Sequence, residues 1–203
     1  APAWDDPVHL ERAEECLSLA VTGVAEAPID LGLYHGFAGV AWTLAHLAAE
    51  SREEPEEDDI DRAIREYLVQ EDRTSHYDLI LGLVGVGVLA LERYPAPRAA
   101  WILGQVIDHL GRKAKKLPKG ITWHTSPALL PQWQRESEPT GYYNLGMAHG
   151  VPGVIAFLAH SLSCGRQGIE VEELLEGAVT WMLAQEATES AAFRFPSWIG
   201  SSL

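Results

Sequence analysis

Cysteine is scarce in this chain, and the scarcity excludes whole classes of protein. Cys16 and Cys164 are the only two among 203 residues, and they stand in unrelated settings. Two such thiols make neither a disulfide framework nor a cysteine-based metal motif. They point to packing roles for both residues and to a reducing, cytoplasmic setting. No apolar run is long and charge-free enough to cross a bilayer, so no transmembrane segment is expected. The first residues, "APAWDDPVHLERAEE", lack the basic and apolar regions of a secretory signal. Positive charge is also short: 15 Lys and Arg face 29 Asp and Glu, for a formal net charge of -14. That balance repels nucleic-acid phosphates, and it favours a basic peptide over an acidic one. Much of the excess lies in "ESREEPEEDDIDRAIREY", residues 50 to 67. It reads as a solvated loop running into a helix, with acids near the helix's positive end. Strand signals are missing too, since no segment alternates apolar and polar residues beside hairpin turns.

What the chain does contain is apolar residues, 47% of the total, enough for one domain over residues 1–203 with a sizeable core. Three segments share a layout: "YHGFAGVAWTLAHL" from Tyr34, "ILGLVGVGVLALERY" from Ile80 and "AHGVPGVIAFLAH" from Ala148. Each carries Gly-x-x-Gly, at Gly36 and Gly39, Gly82 and Gly85, and Gly150 and Gly153, then continues as an apolar helix. Helices apolar on most faces are buried, so these three read as inner helices. Residues 8–24, 59–70, 98–115 and 171–186 are amphipathic instead and read as outer helices. In the first of them Leu10, Ala13, Leu17 and Ala20 form the stripe expected to face inward. Alternating outer and inner helices predict an all-α chain, an α/α toroid whose inner-helix ends surround a cavity. Glycine at those ends lets backbones approach closely. Trp42 and Trp101 fall at apolar helical positions and read as core.

Before the third repeat stands a long insertion, "GITWHTSPALLPQWQRESEPTGYYN", residues 120 to 144. A loop of this length in a compact domain is functional or disordered, and its aromatics argue for order. It reads as a loop folded over one end of the ring, with Trp123, His124 and Tyr143 facing a bound substrate.

"YDLILGLVGVGVLALE", "GYYNLGMAHGVPGVIAFL" and "FRFPSWIG" together resemble the lanthionine synthetase C-like proteins, the lanthipeptide cyclases. The resemblance runs from about residue 31 to the C-terminus. It implies a ring of paired helices and a zinc ion that activates a precursor-peptide cysteine thiol. The thiolate adds to dehydroalanine or dehydrobutyrine and closes a thioether ring. By the same resemblance, His149 in Ala-His-Gly is the family's acid/base histidine, and Asp78 in Tyr-Asp-Leu-Ile its active-site aspartate. Read from the residues alone, Asp78 reads first as a helix cap and His149 as a residue that fills a turn; the resemblance puts the functional reading ahead. By the resemblance, His124 lies where the family loop carries an aromatic or polar residue facing the cavity, and a structural role is equally open. His35 holds in the first repeat the place His149 holds in the third, so it could line that cavity or serve the fold.

The family's zinc ligands lie in a Trp-Cys-Tyr-Gly block and a Cys-His-Gly block, and neither is present. The chain is therefore expected to be the amino-terminal part of a longer cyclase, an incomplete ring that binds no zinc alone. Its expected partners are a leader-core precursor peptide and the missing carboxy-terminal half or a dehydratase. A dimer through the open seam is the other way to cover its apolar edge. Two other classes remain open. One is a zinc-free peptide-binding scaffold; the other is an α/α-toroid glycosidase, which would need paired acids across an aromatic cleft.

Overall fold

In the computed structural model of the chain, the described residues are 7–26, 30–47, 59–70, 75–165, 168–187 and 193–200. Most of them are helical. The helices are α1 (Pro7–Glu26), α2 (Phe37–Leu47), α3 (Asp59–Gln70), α4 (Leu83–Glu92), α5 (Pro97–Lys113), α6 (Gln132–Ser137), α7 (Val151–Ser163) and α8 (Ile169–Leu183).

Two rows of helices follow from two kinds of sequence. In α4, "LVGVGVLALE", every residue from Leu83 to Gly87 is buried, as are Leu89 and Ala90. A helix with no polar face has to be covered on all sides, and α4 is flanked by α2 and α7 within its row and backed by α5. Helix α5 shows the other pattern. Ile102, Leu103, Val106, Ile107 and Leu110 are buried at three- and four-residue spacing, while Arg112 is exposed. Each such aliphatic side chain contributes roughly 1.5–3 kcal/mol on burial. Helix α8 repeats the stripe with Val171, Leu174, Ala178 and Trp181 and backs α7. The inner row is thus α2, α4 and α7, and the outer row is α3, α5 and α8. His109 binds the rows' outer members together: its Nε2–H donates to the Leu68 carbonyl of α3 at 2.8 Å.

The structure departs from the sequence reading in three places. On α1, Ala13 and Ala20 of the expected stripe are exposed and Leu17 is half-buried, although the helix packs mainly against α2. The fold is all-α as the sequence reading has it, but two short strand pairings that it does not foresee are added. An antiparallel hairpin joins β1 (Lys115–Leu117) to β2 (Gly120–Thr122), with Lys116 opposite Ile121. Further on, β3 (Tyr142–Asn144) pairs with β4 (Trp198–Gly200), Tyr143 opposite Ile199. Strands of three residues are too short to show an alternation. Finally, Cys16 is exposed on α1 rather than packed, whereas Cys164 is half-buried at the end of α7. Of the acidic stretch 50 to 67, residues 50–58 lie outside the described residues.

Candidate functional site at the turns before the inner helices

Each inner helix is preceded by a turn of the same construction. A Cβ on Gly36 would fall onto the carbonyl of Asp30, one on Gly82 onto that of His76, and one on Gly150 onto that of Asn144. The offset is six residues each time. Gly39, Gly85 and Gly153 repeat it against the carbonyls of Leu33, Leu79 and Met147. The glycines are required by this close approach, not by an unusual φ: Gly82 and Gly150 are both extended, at φ -127° and -136°. The three turns lie side by side, joined by Tyr34 N–H to the Ile80 carbonyl (3.4 Å) and Leu79 N–H to the Ala148 carbonyl (3.2 Å).

Between the second and third turns two side chains meet. Asp78 Oδ2 lies 2.9 Å from His149 Nδ1. Asp78 is only 5% exposed, and a buried carboxylate needs its oxygens satisfied. Its Oδ1 accepts from the amides of Ile80 (2.9 Å) and Leu81 (2.7 Å), which fixes the carboxyl group in the turn. The residue is therefore not the cap of α4; that position is Gly82, without a side-chain cap bond. With Asp78 ionised, Oδ2 can only accept, so Nδ1 carries the hydrogen and Nε2 is left with a lone pair. The His149 side chain is 48% exposed, so a ligand can reach it.

Two further residues frame this pair, and neither was singled out from the sequence. His76 Nδ1 lies 3.7 Å from the same Oδ2 of Asp78. Burial holds its pKa below the ordinary histidine value; Asp78 pulls it upward and His149 pushes it down. Tyr77 is buried, and its hydroxyl donates to the His149 carbonyl at 3.3 Å. Burial drives its pKa far up, so the phenol stays neutral. The available signal was register: His76 stands six residues before its glycine, as Asp30 and Asn144 do.

The remaining sequence candidates scatter. His124 and Tyr143 contact each other edge to face, centroids 5.3 Å apart, and His124 Nε2–H donates to the Thr140 carbonyl at 3.1 Å. Trp123 is fully buried and gives its indole N–H to the Leu110 carbonyl at 2.9 Å, so it belongs to the core. His35 is exposed on the first turn. Trp42 and Trp101 are only partly buried; Trp42 stacks on His46, and the Arg65 guanidinium lies over Trp101. Along the inner row runs an apolar groove of about 410 Å³, lined by Trp42, Val88, Leu91 and Phe157 among others. Leu79 and Met147 of the second and third turns also line it. The Asp78–His149 pair is thus flanked by residues of that groove.

A zinc site needs three or four converging nitrogen, sulfur or carboxylate donors. Among the described residues no three His, Cys, Asp or Glu side chains are grouped to hold a metal ion. Cys16 on α1 and Cys164 after α7 belong to different elements. The donor set that zinc requires does not fit these residues.

The profile of the family described as lanthionine synthetase C-like protein matches residues 4–202. This chain belongs to that family. Among solved structures it is similar to nisin cyclase, with a TM-score of 0.76 and 20% sequence identity over 96% of the chain. That likeness shows the α/α-toroid fold and agrees with the two rows of helices. The match covers 50% of the nisin cyclase chain, so the present chain spans about half of that relative's length. Comparison with curated proteins gives no significant match. Among the described residues no helix is long and apolar enough to cross a membrane.

Proposed function

We propose that this chain supplies the proton-handling part of a lanthipeptide cyclase site. The observation that carries the reading is the Asp78–His149 contact at 2.9 Å, with the carboxylate buried and the imidazole half-exposed. In the reaction, the sulfur of a precursor-peptide cysteine bonds to the β-carbon of dehydroalanine or dehydrobutyrine. The π-electron pair moves onto the carbonyl as an enolate, the thiol gives up its proton, and the α-carbon takes one. An imidazole that exchanges a proton near neutral pH suits either transfer. Asp78 holds the ring so that Nε2 is the exchanging atom, and it stabilises the imidazolium between the two transfers.

Zinc lowers a thiol's pKa in the family's chemistry. The residues described above assemble no donor set for it, so thiol activation falls to residues beyond them and the proton falls to these. The precursor peptide is the expected partner, and the apolar groove beside the pair suits dehydrated residues. A thiol substrate agrees with a reducing, cytoplasmic setting. The chain is read as part of a longer ring whose remaining helices continue the inner and outer rows.

The test is ring closure on a dehydrated precursor peptide by the enzyme with its remaining helices, the variants made in that longer chain, followed by counting free thiols after alkylation. His149→Asn and Asp78→Asn should each slow closure by about 100- to 10,000-fold, the usual worth of a positioned proton-transfer group. In Asp78→Asn the amide side chain keeps an oxygen for the Ile80 and Leu81 amides, but its NH₂ faces Nδ1 and forces the hydrogen onto Nε2. Wild-type rates from both variants, at unchanged thermal stability, would remove the pair from the chemistry.

A further inference from the structure

Positive charge in this acidic chain is concentrated in one place. All four lysines fall within residues 113–119, directly after Arg112, and no Asp or Glu occurs between Asp108 and Glu136. Two ordinary explanations exist for part of this. Arg112 and Lys113 stand in the last turn of α5, where cations complement the helix dipole. Lys115 and Lys116 sit on β1, whose outer edge lysines would guard. Neither explains why the charges converge. The end of α5, β1 and the loop after β2 close around a cavity of about 130 Å³, lined by Arg112, Lys113, Lys115, His124, Ser126 and Tyr77 among others. No carboxylate is among the described residues that line it.

We propose that this cavity is an oxyanion subsite that holds a carboxylate of an acidic segment in the bound peptide. The proposal rests on the reading of the chain as a peptide-modifying protein. Size supports it: 130 Å³ is about the share of four waters in the liquid, enough for a carboxylate-bearing side chain. Chemistry supports it as well. A guanidinium can take a carboxylate through two parallel N–H bonds, and lysine and serine add further donors. Lys113 is tied to the wall, its Nζ donating to the Ser75 carbonyl at 3.3 Å. His124 reports the local field: burial keeps its pKa below the ordinary value, the bond to Thr140 raises it, and Lys115 lowers it.

Location gives the subsite its use. Tyr77 lines the cavity, and its hydroxyl donates to the carbonyl of His149, so one residue separates the two sites. A surface of net charge -14 repels an acidic segment elsewhere, so the peptide would be anchored in one place rather than along the chain.

The experiment uses a labelled, glycine-spaced hexapeptide with three glutamates and its glutamine counterpart, both without cysteine or dehydrated residues. Binding is read by fluorescence anisotropy and is independent of ring closure, so failure of the cyclase reading would not imitate failure here. The glutamate peptide should bind at least about fivefold tighter, and the preference should shrink when salt is raised from about 50 to 300 mM. An R112Q/K115Q double variant should lose the preference while keeping its melting temperature, since both side chains are exposed. Each cation alone should account for about two- to fivefold. Equal binding of the two peptides, or a preference that survives the double variant, would overturn the proposal. Inorganic phosphate binding without any glutamate preference would equally overturn it, leaving a site for free oxyanions.

Discussion

The junction between the first and second turns and the junction between the second and third share one backbone and differ in what they can do. At the first, Gly32 lies against the second turn: a Cβ there would stand 2.7 Å from the Ile80 carbonyl and 3.1 Å from Leu81 Cα. At the second junction, the residue four before Gly82 is Asp78, and it reaches the residue one before Gly150, His149. Gly32 and Asp78 hold the same register, as do Leu81 and His149. The main-chain bonds are related too, since the carbonyls of Ile80 and Ala148 hold one register and both accept from the turn before, although the donors, Tyr34 and Leu79, stand one position apart in the repeat. The backbone arrangement is therefore shared, and the two junctions differ in the side chains placed on it. At the second, a carboxylate and an imidazole from neighbouring turns stand where the first has a packing contact, and the proton handling proposed above would rest on that difference.

The widest difference between the junctions should be in rate. His149→Asn is expected to cost the 100- to 10,000-fold stated above, whereas Leu81→Ala, in the same register, should leave ring closure within about twofold. A comparable loss from Leu81→Ala, measured on the same peptide, would mean that the first junction takes part as well.

Stability should show the opposite pattern, because the glycines serve all three turns alike. Gly36→Ala, Gly82→Ala and Gly150→Ala each drive a methyl group into a backbone carbonyl. Each should lower the urea-unfolding free energy by at least about 2 kcal/mol. Gly23→Ala on α1 meets nothing within 4 Å and should be neutral or slightly stabilising. A silent Gly36→Ala would break the claim of a common scaffold.

The smallest effect separates the junctions by pH. The second turn alone carries a histidine in the register of Asp30 and Asn144. Burial holds His76 below its ordinary pKa of 6.5, so the unfolded chain binds that proton more readily than the folded one. Its stabilising contribution is thus complete above the unfolded pKa and is lost as pH falls below about 6.5. Between pH 7 and 5.5 the melting temperature of wild type should drop more than that of His76→Gln. Parallel curves for the two proteins would show that His76 does not titrate against the fold.

The inner helices were legible because they are apolar on most faces, although only α4 is buried nearly throughout, while α2 and α7 also line the groove. Outer helices α3, α5 and α8 were legible through their stripes, while α1 carried a stripe that little packs against, and composition cannot report a missing neighbour. Asp78 and His149 were singled out through their motifs. Their contact joins residues 71 apart, and only the repeated glycine spacing hinted at it. Trp123 is buried with its indole N–H on the Leu110 carbonyl, a partner visible only in three dimensions, so it meets the basic cavity as part of its wall rather than as a loop aromatic over the ring. The basic cavity was hidden behind the net charge. A sum of -14 predicts affinity for basic peptides, but a sum does not say where the cations gather.

The bond from the Leu79 amide to the Ala148 carbonyl has a consequence in time. It joins the two turns beside Asp78 and His149, so the turns cannot part without breaking it. Solvent deuterium reaches that amide only through such an opening. The exchange of one backbone hydrogen therefore keeps a record of how often the carboxylate and the imidazole lose each other, with no substrate present.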